Sequence, residues 1–392
     1  MALSKIDVAN MLTGVTPVAN GGTALSSGFK NGVDPRPLSK PLIINGDMAV
    51  AQRGTSKTSA SGYTTVDRFR NFQDDGAVTA TQESLTSGNA YINGFANAFK
   101  LDVTTADSSV ANDHLAGIQY KFEGQDLQVF KKGTSNAEKF TVAFWFKSTK
   151  TGTYICELED EDNSRNNSQS YTVSSSDTWE HKVVNFPADT TGSFGDDNAN
   201  SLKINWFLMA GTDFTSGTLQ TAWGSETSAN RCVGQVNALD NTSNNIHITG
   251  VQLEVGEFSS TTLPPFQHED FGDNKQRCAR YYYKVAEHGA DGLTNQTFGM
   301  GYYKHTDQWR ILCYLPERPR TNPSLDSTSG TNFYINDIQG VDDTFNSVTL
   351  TRSNADIIQV VHNNSNVSGT TGEAGESVAV ASGAYIAFDA EL

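Results

Sequence analysis

Apolar residues recur at every second position through several stretches of this chain. In Phe140-Thr-Val-Ala-Phe-Trp-Phe, the side chains of Phe140, Val142, Phe144 and Phe146 fall on one face and Thr141, Ala143 and Trp145 on the other, the two-residue period of a β-strand. Both faces carry apolar groups, as in the middle of a sandwich or where an aromatic lines a shallow binding face. Leu202, Ile204, Trp206 and Leu208 repeat the pattern against Lys203, Asn205, Phe207 and Met209, and residues 179–186 and 246–255 read as two more strands. The stretches 160–170 and 190–200 have no apolar period and are expected to be exposed loops.

The rest of the chain divides around this strand-rich middle. Leu3, Ile6, Val8, Met11 and Leu12 suit two helical turns capped by Ser4, after which glycines and prolines stop the pattern as far as Pro41. Such a segment cannot bury itself, so residues 1–40 are expected to form an extended arm that docks on a partner or a sister chain. The prolines of Leu263-Pro-Pro-Phe end the strand series. Alternation resumes beyond them: Phe298–Tyr303 and Trp309–Leu315 flank the polar turn His305-Thr-Asp-Gln as a hairpin, residues 347–352, 357–361 and 383–388 continue it, and 363–376 is a polar loop tip. The expectation is an all-β protein with an arm at 1–40, a β-sandwich at 41–272 and a smaller distal β-domain at 273–392.

Composition supports that class. Thirty-four glycines, 18% charged residues and 10% aromatics suit short strands and many turns rather than a helical enzyme. Four scattered cysteines make neither a disulfide scaffold nor a C-x-x-C zinc pair, and read as buried thiols. A formal charge of −16 opposes contact with a nucleic-acid backbone. The start lacks a basic flank and unbroken apolar run, and no run of about 18 apolar residues occurs, so a soluble chain made in the cytoplasm, without membrane insertion, is expected.

Several segments, taken in order, resemble tail-fibre and appendage proteins of tailed bacteriophages, marine ones especially. Pro17-Val-Ala-Asn-Gly-Gly-Thr looks like the N-terminal part of such fibres, which implies virion attachment through Pro17, Val18, Ala19, Asn20, Gly21 and Gly22. Leu42-Ile-Ile-Asn-Gly-Asp-Met-Ala-Val-Ala-Gln-Arg-Gly-Thr and Tyr63-Thr-Thr-Val-Asp-Arg-Phe resemble the opening of their sandwich, and Ile248-Thr-Gly-Val-Gln-Leu-Glu-Val-Gly its close. Pro265-Phe-Gln-His with Cys278-Ala-Arg-Tyr-Tyr-Tyr-Lys looks like the bridge to a distal domain. The resemblance implies a jelly roll like that of carbohydrate-binding modules, glycan contact at a host surface, a homotrimer, and a place on the virion at the tail; members also sit on capsids and necks. The arm is shorter than the large N-terminal domain of some such fibres, which leaves its docking partner open.

A glycan site needs an aromatic platform for the apolar sugar face, with amide, carboxylate or hydroxyl groups for its hydroxyls. Trp145, Tyr154, Asn205 and Trp223 in the sandwich, and Tyr302, Tyr303, His305 and Trp309 in the distal hairpin, are the candidates, with packing as the plainer reading of each ring. The acidic run Glu157–Asp162 offers hard oxygen ligands suited to calcium, although it lacks the glycine and distant glutamate of an EF-hand, and a solvated acidic turn is preferred. No cofactor is expected. No G-x-S-x-G, H-E-x-x-H, P-loop or β-helix repeat occurs, so a non-enzymatic adhesin is favoured over a mainly structural decoration fibre and over a glycan depolymerase.

Overall fold

A computed structural model of the protein describes residues 40–353, 357–363 and 367–392. The expected arm, with Pro17 to Gly22, lies outside the described residues. The fold is all-β. Its first unit is a two-sheet sandwich of β1 (Ser56–Lys57), β2 (Phe69–Gln73), β3 (Ala77–Ser84), β4 (Asn97–Thr105), β5 (Leu115–Glu123), β6 (Phe140–Ser148), β7 (Gly152–Asp160), β8 (Arg165–Val173), β9 (Glu180–Phe186), β10 (Asn200–Ala210), β11 (Gly224–Ser225) and β12 (Asn245–Val255). One sheet runs β1-β3-β4-β12-β6-β9 and the other β11-β8-β7-β10-β5-β2, all pairs antiparallel.

Period-two alternation sets the core. Phe140, Val142, Phe144 and Phe146 of β6 meet Leu202, Ile204, Trp206 and Leu208 of β10 between the sheets, with the rings of Phe144 and Trp206 edge to face at 5.7 Å. The expected loop at 160–170 is instead the turn and second strand of the β7–β8 hairpin, with Ser164 at φ 50°. Asn166, Asn167 and Ser168 are polar yet fully buried, because Asn166 and Ser168 donate to Glu157 and Asn167 to the carbonyl of Thr221. The 190–200 stretch is irregular as expected, although Phe194 is buried.

After β12 the chain doubles back over the outer face of the first sheet, then forms a helix that straddles residues 272 and 273 (Phe271–Ala279), with Asp270 accepting from the Gly272 amide as its N-cap. The distal unit follows: β13 (Tyr282–Glu287), β14 (Gln296–His305), β15 (Gln308–Tyr314), β16 (Ser324–Ser327), β17 (Tyr334–Ile338), β18 (Val341–Phe345), β19 (Thr349–Ser353), β20 (Ile357–Asn363), β21 (Ala374–Ala379) and β22 (Tyr385–Asp389). A sheet of order β13-β22-β16 and one of order β18-β17-β21-β14-β15-β20-β19 enclose Phe298, Trp309, Ile311, Tyr334, Phe345, Ile386 and Phe388. Among the described residues no helix is long and apolar enough to cross a membrane.

Among the described residues, the segments around Asn45, Arg68 and Arg280 that carry the sequence resemblance knit the two units together. Asn45, in the left-handed region at φ 61°, donates from its amide to the carbonyls of Val50 and Asp67 and accepts from Val50 N, while its own N–H reaches Asn274. Gly46 has no room for a side chain, since a Cβ there would lie 2.2 Å from the Val251 carbonyl. Arg68, almost fully buried, pairs with Glu391, donates to the Lys121 carbonyl and lies 3.4 Å over the Tyr281 ring. Arg53 pairs with Asp389 at 3.0 Å and covers Tyr282 at 3.6 Å, and Arg280 forks onto Glu123 at 2.8 and 2.6 Å. Planar guanidinium groups suit such sites because they stack on rings and bond carboxylates at once.

Candidate functional site

The outer face of the first sheet carries a groove. By strand alternation Trp145 turns away from the Phe144–Phe146 core, and the register of β6 on β9 places it directly opposite His181, with ring centroids 5.0 Å apart. Both are half-buried. On the other side β12 breaks register between Thr249 and Gln252. Gly250 stands in that bulge at φ 61°, and a Cβ there would approach the Phe95 ring to 2.6 Å, so only glycine lets this ring close over the sheet.

Two segments wall the groove. Asn93 and Phe95 follow a short helix (Gly88–Ile92), and Ser260, Leu263, Pro264, Pro265, Phe266 and His268 belong to the returning chain. Phe95, Phe266 and His268 form a ring cluster with centroids 4.8–5.3 Å apart, and Gln252 ties the wall to the sheet by donating to the Pro264 carbonyl at 3.1 Å. The cavity is about 440 Å³. Burial lowers the His181 pKa, so at neutral pH its ring is uncharged and offers one donor and one acceptor. The groove thus combines apolar ring surface with imidazole, amide and hydroxyl groups.

The outer face of the second sheet has a different character. Arg231 donates to Glu157 through Nε at 3.0 Å and Nη2 at 2.5 Å, to Glu159 at 3.0 Å, and through Nη1 to Glu226 at 2.9 Å. Asn205 donates to both Glu157 and Glu159 and accepts from Gln119 at 2.7 Å. Burial pushes Glu159 up, but Arg231 and Lys203 outweigh it and leave its pKa below the usual carboxylate range. Burial together with Glu159 and Glu157 raises Glu226. These groups satisfy one another.

Of the eight sequence candidates for glycan contact, Trp145 lines the groove and the others do not join it. Tyr154 is fully buried, stacked on Tyr171 at 5.7 Å, with its hydroxyl donating to the Lys150 carbonyl. Asn205 is buried in the carboxylate network. Trp223 packs beside Phe140 and donates to the Pro187 carbonyl. Tyr303 and Trp309 are core residues: their rings pack edge to face at 4.8 Å, the Tyr303 hydroxyl reaches Asp343, and Trp309 donates to Ser377. Tyr302, on the opposite strand face, and His305, at the hairpin turn, are exposed. Tyr154, Asn205, Tyr303 and Trp309 are therefore corrected to interior positions, because rings and amides with all their partners inside the fold cannot reach a surface ligand, while Trp223 is partly buried and apart from the groove. The acidic run Glu157–Asp162 is likewise engaged with protein cations and amides: Glu157 and Glu159 by Arg231, Asp160 by Lys132 at 2.5 Å and by Asn163, and Asp162 by the Gly195 amide.

His181, Phe95, Gln252, Phe266 and His268 were not singled out from sequence. The signal for His181 was present, since it lies in a predicted strand on the face opposite the core; its pairing with Trp145 depends on register. Phe266 and His268 stood in a segment read as a bridge.

No protein-family model matches the chain, and no curated protein matches it in sequence. Among solved structures it is similar to the enzymatically active domain of bacteriophage CBA120 tailspike protein 4, at 14% identity and TM-score 0.29 over 55% of this chain and 21% of that one. It is similar to the family 11 carbohydrate-binding module of Clostridium thermocellum in complex with a β-1,3-1,4-mixed-linked tetrasaccharide, at 11% identity and TM-score 0.26 over 52% and 98% of the two chains. A third is the C-terminal family 22 carbohydrate-binding module of Clostridium thermocellum Xyn10B, at 11% identity and TM-score 0.25 over 52% and 96%.

Proposed function

We propose that this chain is a virion appendage protein of a tailed phage, a tail fibre or receptor-binding component that adheres to host surface glycans. The observation that carries the adhesive part is the groove in which Trp145 and His181 face Phe266 and His268 across about 440 Å³. A pyranose lays its apolar face on the indole while its hydroxyls pair with His181, Asn93 and Ser260. Exposed Tyr302 and His305 at the distal hairpin form a second, shallower contact. The virion part is supported by the sequence resemblance, some of whose described residues, Asn45, Arg53, Arg68 and Arg280 among them, lock the sandwich to the distal unit.

Binding without cleavage fits the lining. Two-carboxylate glycoside hydrolysis needs a pair of Asp or Glu residues flanking the bond, and the described groove lining consists of uncharged groups and imidazoles. Residues 17–22 of the arm attach the chain to another virion protein, and three copies on one tip convert shallow sugar contacts into avidity.

The test is binding of the purified chain to host envelope polysaccharide, beside Trp145→Ala, with reducing ends assayed in the same samples. Loss of an aromatic face contributing roughly 0.5–1.5 kcal/mol weakens each site about 2- to 13-fold. Saturable binding that Trp145→Ala reduces supports the reading. Equal binding by both proteins places the site elsewhere, absence of binding favours a decoration role, and release of reducing ends makes the protein a depolymerase. Antibody to residues 273–392 should label tail tips on intact virions.

A further inference from the structure

At one end of the sandwich the two sheets are joined twice. The β2–β3 turn crosses from the second sheet to the first at Asp74-Asp75-Gly76, and the β4–β5 loop crosses back between Thr105 and Leu115. Gly76, at φ 72°, brings the turn so close to the loop that a Cβ there would lie 2.9 Å from the Thr105 carbonyl and 3.7 Å from the Asp107 Cβ. Asp75, Asp107 and His114 converge in this contact, with one ligand-type atom of each lying within 4.8 Å of the others.

The frame around them is fixed. The Asp107 N–H donates to the Leu239 carbonyl, its own carbonyl accepts from the Asn237 amide, and the Gly211 N–H donates to the His114 carbonyl. Asp74 exchanges bonds with Leu115 on the far strand. Within the frame the Asp107 side chain is 7% exposed. Its Oδ1 accepts from the Ser109 amide, but its Oδ2 is buried without a hydrogen-bond partner among the described residues. The same is true of His114 Nδ1, 4.0 Å away, too far for a hydrogen bond between them. Two buried polar atoms aimed at one gap are costly unless something fills it.

We propose that Asp75, Asp107 and His114 form a site for a divalent first-row metal ion of the zinc type, which staples the two cross-sheet loops. Two carboxylates balance the double positive charge, which a bridging water does not. The imidazole nitrogen selects against calcium and magnesium, which take oxygen ligands, and in favour of zinc, cobalt or nickel. With metal–ligand distances of about 2.1 Å, tetrahedral ligand atoms stand roughly 3.4 Å apart. Closing from the observed spread requires a shift of about 1 Å, which Asp75 on its exposed turn can supply, with water completing the shell.

The untagged full-length chain, stripped with chelator, should be titrated with Zn²⁺, Co²⁺ and Ca²⁺ by calorimetry and scanned for thermal unfolding. One equivalent of Zn²⁺ should bind, raise the sandwich Tm by ~5 °C or more at a hundredfold excess over Kd, and yield to Co²⁺ with a visible ligand-field spectrum. His114→Gln and Asp75→Asn should each weaken Zn²⁺ binding at least tenfold and abolish the spectrum. Asp75 is exposed, so the metal-free Tm of Asp75→Asn should match wild type, which separates metal binding from folding. Absence of stoichiometric zinc or cobalt binding, unchanged affinity in both variants, or calcium bound more tightly than zinc each overturns the proposal. None of these outcomes bears on the Trp145 groove.

Discussion

Replacing Arg231 by Met should reverse the sign of what its carboxylate network contributes to the pH dependence of sandwich stability. Arg231 is 12% exposed at its side chain and Glu157 is fully buried, and four charge-assisted bonds run from the guanidinium to Glu157, Glu159 and Glu226. Met fills most of the volume but leaves these carboxylates facing one another without their shared cation. Breaking a buried pair on one side costs roughly 3–5 kcal/mol, which at an m-value of about 2–3 kcal/mol/M moves the urea midpoint down by roughly 1–2 M at pH 7.5. In the wild type, Glu159 is held below its unfolded pKa, so its contribution is present above about pH 4.3 and is lost as pH falls. In the variant, Glu159 and Glu226 lose their main cation and desolvation becomes dominant, so the network's contribution falls as pH rises from about 4.5 toward 7. Four of the five tryptophans, Trp145, Trp179, Trp206 and Trp223, lie in the sandwich and report its unfolding by fluorescence. A midpoint that moves by less than 0.3 M at pH 7.5, or by the same amount at pH 5 and 7.5, would falsify the account of this network as a cation-dependent brace.

Two further outcomes follow from burial. Arg68→Met alone should destabilise the junction by about 3 kcal/mol and open it to limited proteolysis, since Glu391 keeps only Arg53 as its cation, whereas Arg68→Met with Glu391→Leu should recover part of that loss, because Arg53 still has Asp389; equal proteolysis of single and double variants would refute the pairing. Burial pushes all four thiols up, Cys313 to about 12 and Cys156, Cys232 and Cys278 well above the usual thiol range, so a thiol-specific disulfide reagent at pH 8 should label none in the native protein and four after denaturation, and any rapid native labelling contradicts their placement.

Much of the fold could be read from the chain because period-two alternation is a local property. Phe140 to Phe146 and Leu202 to Leu208 announced their strands and their inner faces without any partner being known. What could not be read depends on partners far away in sequence. The first part of β8, residues 165–170, lacks apolar alternation because it is buried against amides and carboxylates, and only Glu157 and the 220 loop make Asn166 and Ser168 interior residues. The distal hairpin shows the same limit. Tyr303 and Trp309 sit opposite each other, so both are buried or both exposed, but which face of the sheet is covered is decided by Ala286, Ile386 and Phe388 on the facing sheet, the last two from a strand much later in the chain. The site was half legible for this reason: Trp145 stood out as an aromatic on the outer face of a core strand, while His181 and Phe266 join it only through register and a doubled-back segment.

The distal unit begins and ends at the same doorway. Its first strand, β13, lies antiparallel to β22, with Tyr282 opposite Asp389, so everything between leaves the sandwich and returns to it across one strand spacing. A unit tethered in this way behaves as a cassette: its remote hairpins can lengthen, shorten or change residue type without moving the threshold, and a whole different domain can be substituted behind it. The threshold sets the terms of exchange: any replacement must still offer Arg53 a ring and a carboxylate where Tyr282 and Asp389 stand, while Tyr281 and Glu391, just outside it, keep their hold on Arg68. Variation in what the far end contacts is thereby separated from the integrity of the groove-bearing sandwich, and recombination at residues 282 and 389 is the natural place to attempt it.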